Sequence, residues 1–110
     1  MAKYVTFFSY TDETWAKMIA NPSDRRAAVQ AAAESLCGNV EAAYFMFGSY
    51  DGFVITDLPD SARAAGLSIA VSSTGAIRSL ETHEIFASSD LPAVLERAAA
   101  VQGAYREPGS

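Results

Sequence analysis

The sequence predicts an α+β domain of ferredoxin-like type, ordered β-α-β-β-α-β around a four-stranded antiparallel sheet, with an extra C-terminal helix. Three observations predict it. Four runs rich in aromatic and β-branched residues alternate with segments of helical spacing. The second and third runs are separated only by Gly48-Ser49-Tyr50-Asp51-Gly52, short enough to be a hairpin. The chain has 110 residues, enough for one core and too few for a second folded unit.

Each element has its own justification. Tyr4 to Tyr10 reads as a strand with Val5 and Phe7 on one parity and Tyr4, Phe8 and Tyr10 on the other, so both faces want cover. Thr11 or Asp12 caps a helix beginning at Glu13, whose apolar side is Trp15, Met18 and Ile19. Asn21-Pro22-Ser23-Asp24 interrupts or kinks that helix, because proline has no N–H to donate and restricts the residue before it. Helical spacing resumes from Arg25 to Leu36, where the many alanines imply close approach to a sheet, and Gly38-Asn39 ends it. Val40 to Phe47 is the second strand and Phe53 to Leu58 the third; Pro59 stops the third and Asp60 caps a helix from Ser61 to about Ser72. The fourth strand, Ala76 to Phe86, carries Ser79, Glu81 and His83 on one face and Leu80, Thr82 and Phe86 on the other. Ser88 or Ser89 caps a last helix containing Leu91, Val94, Leu95, Ala98 and Val101, with Pro92 in its first turn. Residues 1–104 form one domain and residues 105–110 a flexible tail.

This order places both crossover helices on one face of the sheet. Bulky residues on both parities of the first two strands then predict that a second copy covers the other face, as a homodimer with sheets face to face or a larger homo-oligomer. The formal charge of -5 and the lack of a basic patch argue against a nucleic acid or an anionic membrane surface as partner. No run is long and apolar enough to span a bilayer, and no signal-peptide pattern is seen, so a cytoplasmic location is expected. The single cysteine, Cys37, cannot close an intrachain disulfide and reads as a small buried group near a helix C-terminus.

Candidate chemistry is sparse. His83 is the sole histidine, and Glu81 two residues earlier shares its strand face. The carboxylate could orient the ring, and the ring could take a proton from a phenol or a carbon acid; an interface role with ordinary hydrogen bonds is the competing reading. Ser9, Tyr10 and Tyr44 offer hydroxyls to a cavity between two sheets, and Tyr50 and Asp51 would edge it with a donor and an acceptor. The competing reading makes Tyr50 and Asp51 parts of a turn. Nothing has metal-ligand spacing and no glycine loop precedes a helix and lysine, so no metal and no cofactor is expected. Arg25 and Arg26 have Asp24 and Glu34 nearby in sequence, or a partner subunit, as ion-pair partners.

Residues 1 to about 98 resemble the GYD domain family, named for a Gly-Tyr-Asp signature and placed within the larger group of dimeric α/β-barrel ferredoxin-like proteins. The matching features are Thr6 to Thr11, Arg25-Arg26, Leu36-Cys37-Gly38, Gly48-Ser49-Tyr50-Asp51, Asp57-Leu58-Pro59-Asp60 and the region Gly75 to Ile85, with Ser49 inserted between the signature glycine and tyrosine. The resemblance implies a dimeric α/β barrel and leaves the activity unassigned. Relatives in the broader group include cofactor-free monooxygenases acting on quinol-like aromatics, isomerases, haem-handling enzymes and domains that only bind ligand. Three functions follow as expectations. The first is a small soluble homo-oligomeric domain without established catalytic activity. The others are a module that binds or senses a small hydrophobic or aromatic ligand, and a cofactor-free oxygenase or isomerase working in the inter-sheet cavity.

Overall fold

Strands β1 (Ala2–Tyr10), β2 (Asn39–Phe45), β3 (Gly52–Leu58) and β4 (Ile77–Ile85) form one antiparallel sheet in the order β2-β3-β1-β4 in the computed structural model, which describes Met1–Ser110. Tyr4 stands opposite Thr56 and Glu84, Thr6 opposite Val54 and Thr82, and Phe8 opposite Gly52 and Leu80. One face therefore carries Tyr4, Thr6, Phe8, Val54, Leu58 and Leu80, and the other Val5, Phe7, Phe53, Ile55, Glu81 and His83. A register shift between Val40 and Ala42 leaves Glu41 unpaired, so that Val40 and Ala43 both share the face of Thr56 and Val54.

The sheet is open. β2 and β4 are its two edges, and two other strands lie between them. The barrel implied by the resemblance is therefore corrected: closing a sheet requires its edges to pair, and a filled barrel takes about eight tilted strands, where this chain supplies a four-stranded twisted sheet.

Helix α1 (Asp12–Ala20) starts at Thr11, whose side chain accepts from Thr14 N, while the Thr14 hydroxyl donates to Ala76 O at 2.9 Å and ties the helix to the start of β4. The segment around Pro22 separates α1 from α2 (Arg25–Ser35), which Asp24 caps by accepting from Ala27 N. Asp60 caps α3 (Ser61–Ser73) in the same way through Arg63 N. α2 lies along β2, held by Gln30, whose carbonyl accepts from Val40 N at 2.8 Å; α3 lies along β4. The covered core sits where β1 begins: Tyr4, Leu58 and Ala64 pack together, with Ala2, Leu36 and Leu67 around them. Beyond it, the two helices over opposite edges leave the centre of the sheet uncovered between them.

The end of α2 overturns the expectation of a buried cysteine. Gly38 N donates to Ala33 O and Cys37 N to Glu34 O, closing the helix. A side chain at position 38 would run into the carbonyl of Asp57 and the side chain of Leu58, so the glycine is committed to close packing against β3. The left-handed position then falls on Cys37, with φ of 63°, and turns its free thiol outward.

A 3-10 turn at Ser88–Asp90 precedes α4 (Leu91–Ala104). Neither serine caps α4 as expected; both lie inside the turn, and Asp90 precedes the helix without a side-chain hydrogen bond to it. Every residue of α4 is exposed, and the helix packs on little beyond the turn before it. The molecule consequently measures 59 × 33 × 23 Å, with a radius of gyration of 17.7 Å against the roughly 13 Å usual for this length. No helix is long and apolar enough to cross a membrane.

Candidate functional site

The uncovered centre of the sheet forms the floor of a cavity of about 510 Å³, walled by α1, α2 and α3. Its aromatic wall is contiguous. Phe8 lies edge-on to Phe45 at 5.9 Å and tilts against Tyr10 at 5.2 Å, and Tyr10 meets Trp15 of α1 in a T-shaped contact at 5.3 Å. Met18, Val29 and Leu67 add aliphatic surface. Among the hydroxyls of the lining, Thr6 and Ser68 are joined through Thr82: Thr6 and Thr82 are 3.0 Å apart, Thr82 and Ser68 2.9 Å.

Arg25 and Arg26, in the first turn of α2, also line the cavity. The ion pairs expected with Asp24 and Glu34 are not formed; Asp24 accepts from Ala27 N at the cap and Glu34 from Gln30 Nε2 at 2.8 Å. Arg26 donates to the Glu41 carbonyl at 3.4 Å, and the half-buried Arg25 has no hydrogen-bond or ion-pair partner.

The hairpin between β2 and β3 closes this end of the molecule. Asp51 N donates to Phe8 O at 2.8 Å, while Asp51 Oδ2 accepts from Tyr10 N at 2.9 Å and from Trp15 Nε1 at 3.0 Å. One carboxylate thus fastens the end of β1 and the indole of α1 to the hairpin. Ser9 is buried and donates to Ser49 O at 3.3 Å, a second stitch to the same loop. Gly48 supplies the turn with φ of 124°.

Tyr50, His83 and Glu81 lie together on the helix-free face, across the sheet from the cavity. Tyr50 packs against Phe7 with ring centroids 5.4 Å apart and donates to Glu81 Oε1 at 3.2 Å; His83 Nε2 is 2.8 Å from Glu81 Oε2. The pairing with His83 first and with Tyr50 second holds the Glu81 carboxyl below its ordinary range, and the bond to Glu81 holds the Tyr50 phenol above its own. On the same face Lys3 bridges Asp57 at 2.7 Å and Glu41 at 3.0 Å, and these bonds, Asp57 first, raise its amine. Of the residues singled out from sequence, Tyr10 borders the cavity, Ser9 and Asp51 build its closure, and Tyr44, whose ring packs on Phe53, stands with Tyr50, Glu81 and His83 on the other face of the sheet.

Residues 4–95 match the GYD domain. The chain belongs to the GYD domain family. No curated protein matches it. In fold it is similar to the crystal structure of FFRP-DM1, with a TM-score of 0.50 and 15% sequence identity over 78% of this chain and 100% of that one. The family's signature residues Tyr50 and Asp51 here face opposite ways, the phenol to the helix-free face and the carboxylate to the β1 end and Trp15. No group of three or more His, Cys, Asp or Glu side chains is placed to hold a metal ion.

Sequence reasoning assigned Trp15, Met18, Val29 and Leu67 to packing and passed over Thr6 and Ser68. A signal was available. A strand position under the helices that carries Thr6, and an inward helix position that carries Ser68, put short polar side chains where a filled core would use Leu or Ile.

Proposed function

We propose that this GYD domain protein binds a small apolar or aromatic molecule in the cavity between its helices and its sheet. The observation that carries the reading is the cavity itself: about 510 Å³, within the range of small-molecule sites, with an aromatic wall and a few converging polar groups. Its role is binding. The histidine and its carboxylate partner are on the other face of the sheet, so no acid-base pair meets a molecule held under the helices. The outward free thiol of Cys37 suits a reducing compartment and supports a cytoplasmic place for the protein. Trp15 is the only tryptophan and lines the cavity, so naphthalene should quench its emission saturably. Ala32→Phe and the milder Ala32→Leu fill the space and should abolish or weaken that quenching while circular dichroism stays unchanged. Undiminished quenching in both folded variants would refute the reading.

A second reading rests on a different observation. The helix-free face carries an aromatic row, Tyr44, Phe53, Phe7 and Tyr50, with centroid spacings of 5.5, 5.9 and 5.4 Å, and no element of the chain covers it. We infer that a second copy of the chain covers this face in a homo-oligomer.

A further inference from the structure

We propose that the ligand of the cavity is a small aromatic carboxylic acid carrying a hydroxyl at the end remote from its carboxylate. This rests on the cavity being a binding site and names what it selects.

Arg25 provides the first argument. Arg25 is half buried at the cavity and its guanidinium has no hydrogen-bond or ion-pair partner within the chain, so its five donors stand free for an incoming acceptor. The two carboxylates nearest in sequence are already engaged, Asp24 at the helix cap and Glu34 with Gln30. Two guanidinium groups against one capped carboxylate leave that side of the cavity positive, in a protein whose total charge is -5. An incoming carboxylate would meet Arg25 with charge-assisted hydrogen bonds.

The hydroxyls provide the second. Ser68 Oγ donates its proton to Ala64 O at 2.9 Å, so the contact between Ser68 and Thr82 must be donated by Thr82. The proton of Thr82 is thereby used, and the contact between Thr6 and Thr82 must be donated by Thr6. All three protons run inward to Ala64. Thr6 and Ser68 therefore present only lone pairs to the cavity, and these select a donor such as a phenolic O–H over an ether or a carbonyl.

The two polar groups lie apart. Arg25 is on α2, over edge strand β2, whereas Ser68 is on α3, over the opposite edge strand β4, and the aromatic wall of Phe8, Tyr10, Trp15 and Phe45 provides stacking surface. A flat body with an acid at one end and a donor at the other satisfies all three.

Four probes test this through Trp15 emission: 6-hydroxy-2-naphthoate, its methyl ester, 6-methoxy-2-naphthoate and naphthalene. The hydroxy acid should bind about tenfold or more tightly than its ester, with Arg25→Gln removing the difference and Arg25→Lys restoring part of it. It should bind about threefold to tenfold more tightly than the methoxy acid, with Thr6→Val removing that difference. Equal affinity of acid and ester in the natural chain, or a preference that survives Arg25→Gln, overturns the proposal; saturable naphthalene quenching in the same experiment leaves the binding cavity standing. If naphthalene also fails to bind, the cavity reading falls with it.

Discussion

At the scale of single residues, Asp51 explains why a polar hairpin centre stands between two apolar strands. It accepts from Tyr10 N and Trp15 Nε1 at once, so two donors at the inner end of the molecule depend on one carboxylate. Asp51→Ala should lower stability by about 1 to 3 kcal/mol, because both donors lose their acceptor, and the Trp15 emission of the folded protein should change with it. Urea unfolding followed by fluorescence measures both, and a variant as stable as the natural chain would show that water replaces the carboxylate at no cost. Tyr4 is the reverse case. Its ring is a core residue, 3% exposed, yet its hydroxyl is buried with no hydrogen-bond partner. Burial above all holds the phenol above its ordinary range. Removing the hydroxyl leaves the packing intact and relieves an unpaired group, so Tyr4→Phe should move the urea midpoint upward. A lower midpoint would mean that the hydroxyl is hydrogen-bonded in solution.

At the scale of elements, the C-terminal end of α2 and the helix-free side of β4 each carry a testable consequence. Because position 38 admits no side chain, Cys37 takes the left-handed backbone that glycine would take more cheaply. Cys37→Gly should stabilise by about 0.5 to 1 kcal/mol and Gly38→Ala should destabilise by more than that, as read from unfolding midpoints. On β4, Glu81 has its folded pKa below its unfolded one, so its contribution is complete above the ordinary glutamate value and fades as pH falls through the depressed value. Tyr50 has the opposite sign: its contribution is complete below the ordinary tyrosine value and fades as pH rises past it. Glu81→Gln should therefore flatten the acid limb of a stability-against-pH curve, modestly, since the pair is half exposed. A limb unchanged by the substitution would remove His83 and Tyr50 from the account. These elements also show what the sequence made legible. Strand identities followed from aromatic and β-branched runs, helix identities from periodicity, and Asp60, and Thr11 as one of two candidates, from cap chemistry, because those signals are local. The outward turn of Cys37 was hidden because it depends on Gly38 meeting β3, a contact twenty residues away in sequence. The cavity was hidden for a similar reason: Trp15, Met18 and Val29 have the spacing of a filled core, and only the separation of α2 from α3 leaves the space empty.

At the scale of the whole molecule, two apolar surfaces lack cover: the aromatic row on the helix-free face and the stripe of α4. Leu91, Val94, Leu95, Ala98 and Val101 recur at helical spacing on one side of α4, and of these Leu95 and Val101 are 56% and 60% exposed. A four-stranded sheet is about 19 Å wide and about 30 Å long when its longest strands have nine residues, which projects to nearly 600 Å². Stable protein interfaces cover about 800 Å² on each partner. The sheet face alone falls short, and a helix of 14 residues, about 21 Å long and 10 Å across, makes up most of the difference. The homo-oligomer inferred above should therefore use both surfaces, which distinguishes it from association through the sheet alone. Light scattering at about 10 μM should give at least twice the 11.7 kDa chain mass. Phe7→Lys at the centre of the aromatic row and Leu95→Lys on the α4 stripe should each shift the mass toward 11.7 kDa while leaving the circular dichroism of the strands in place. A natural chain that scatters as a monomer at that concentration rejects the assembly altogether; loss of association in Phe7→Lys with none in Leu95→Lys confines it to the sheet and leaves α4 outside it.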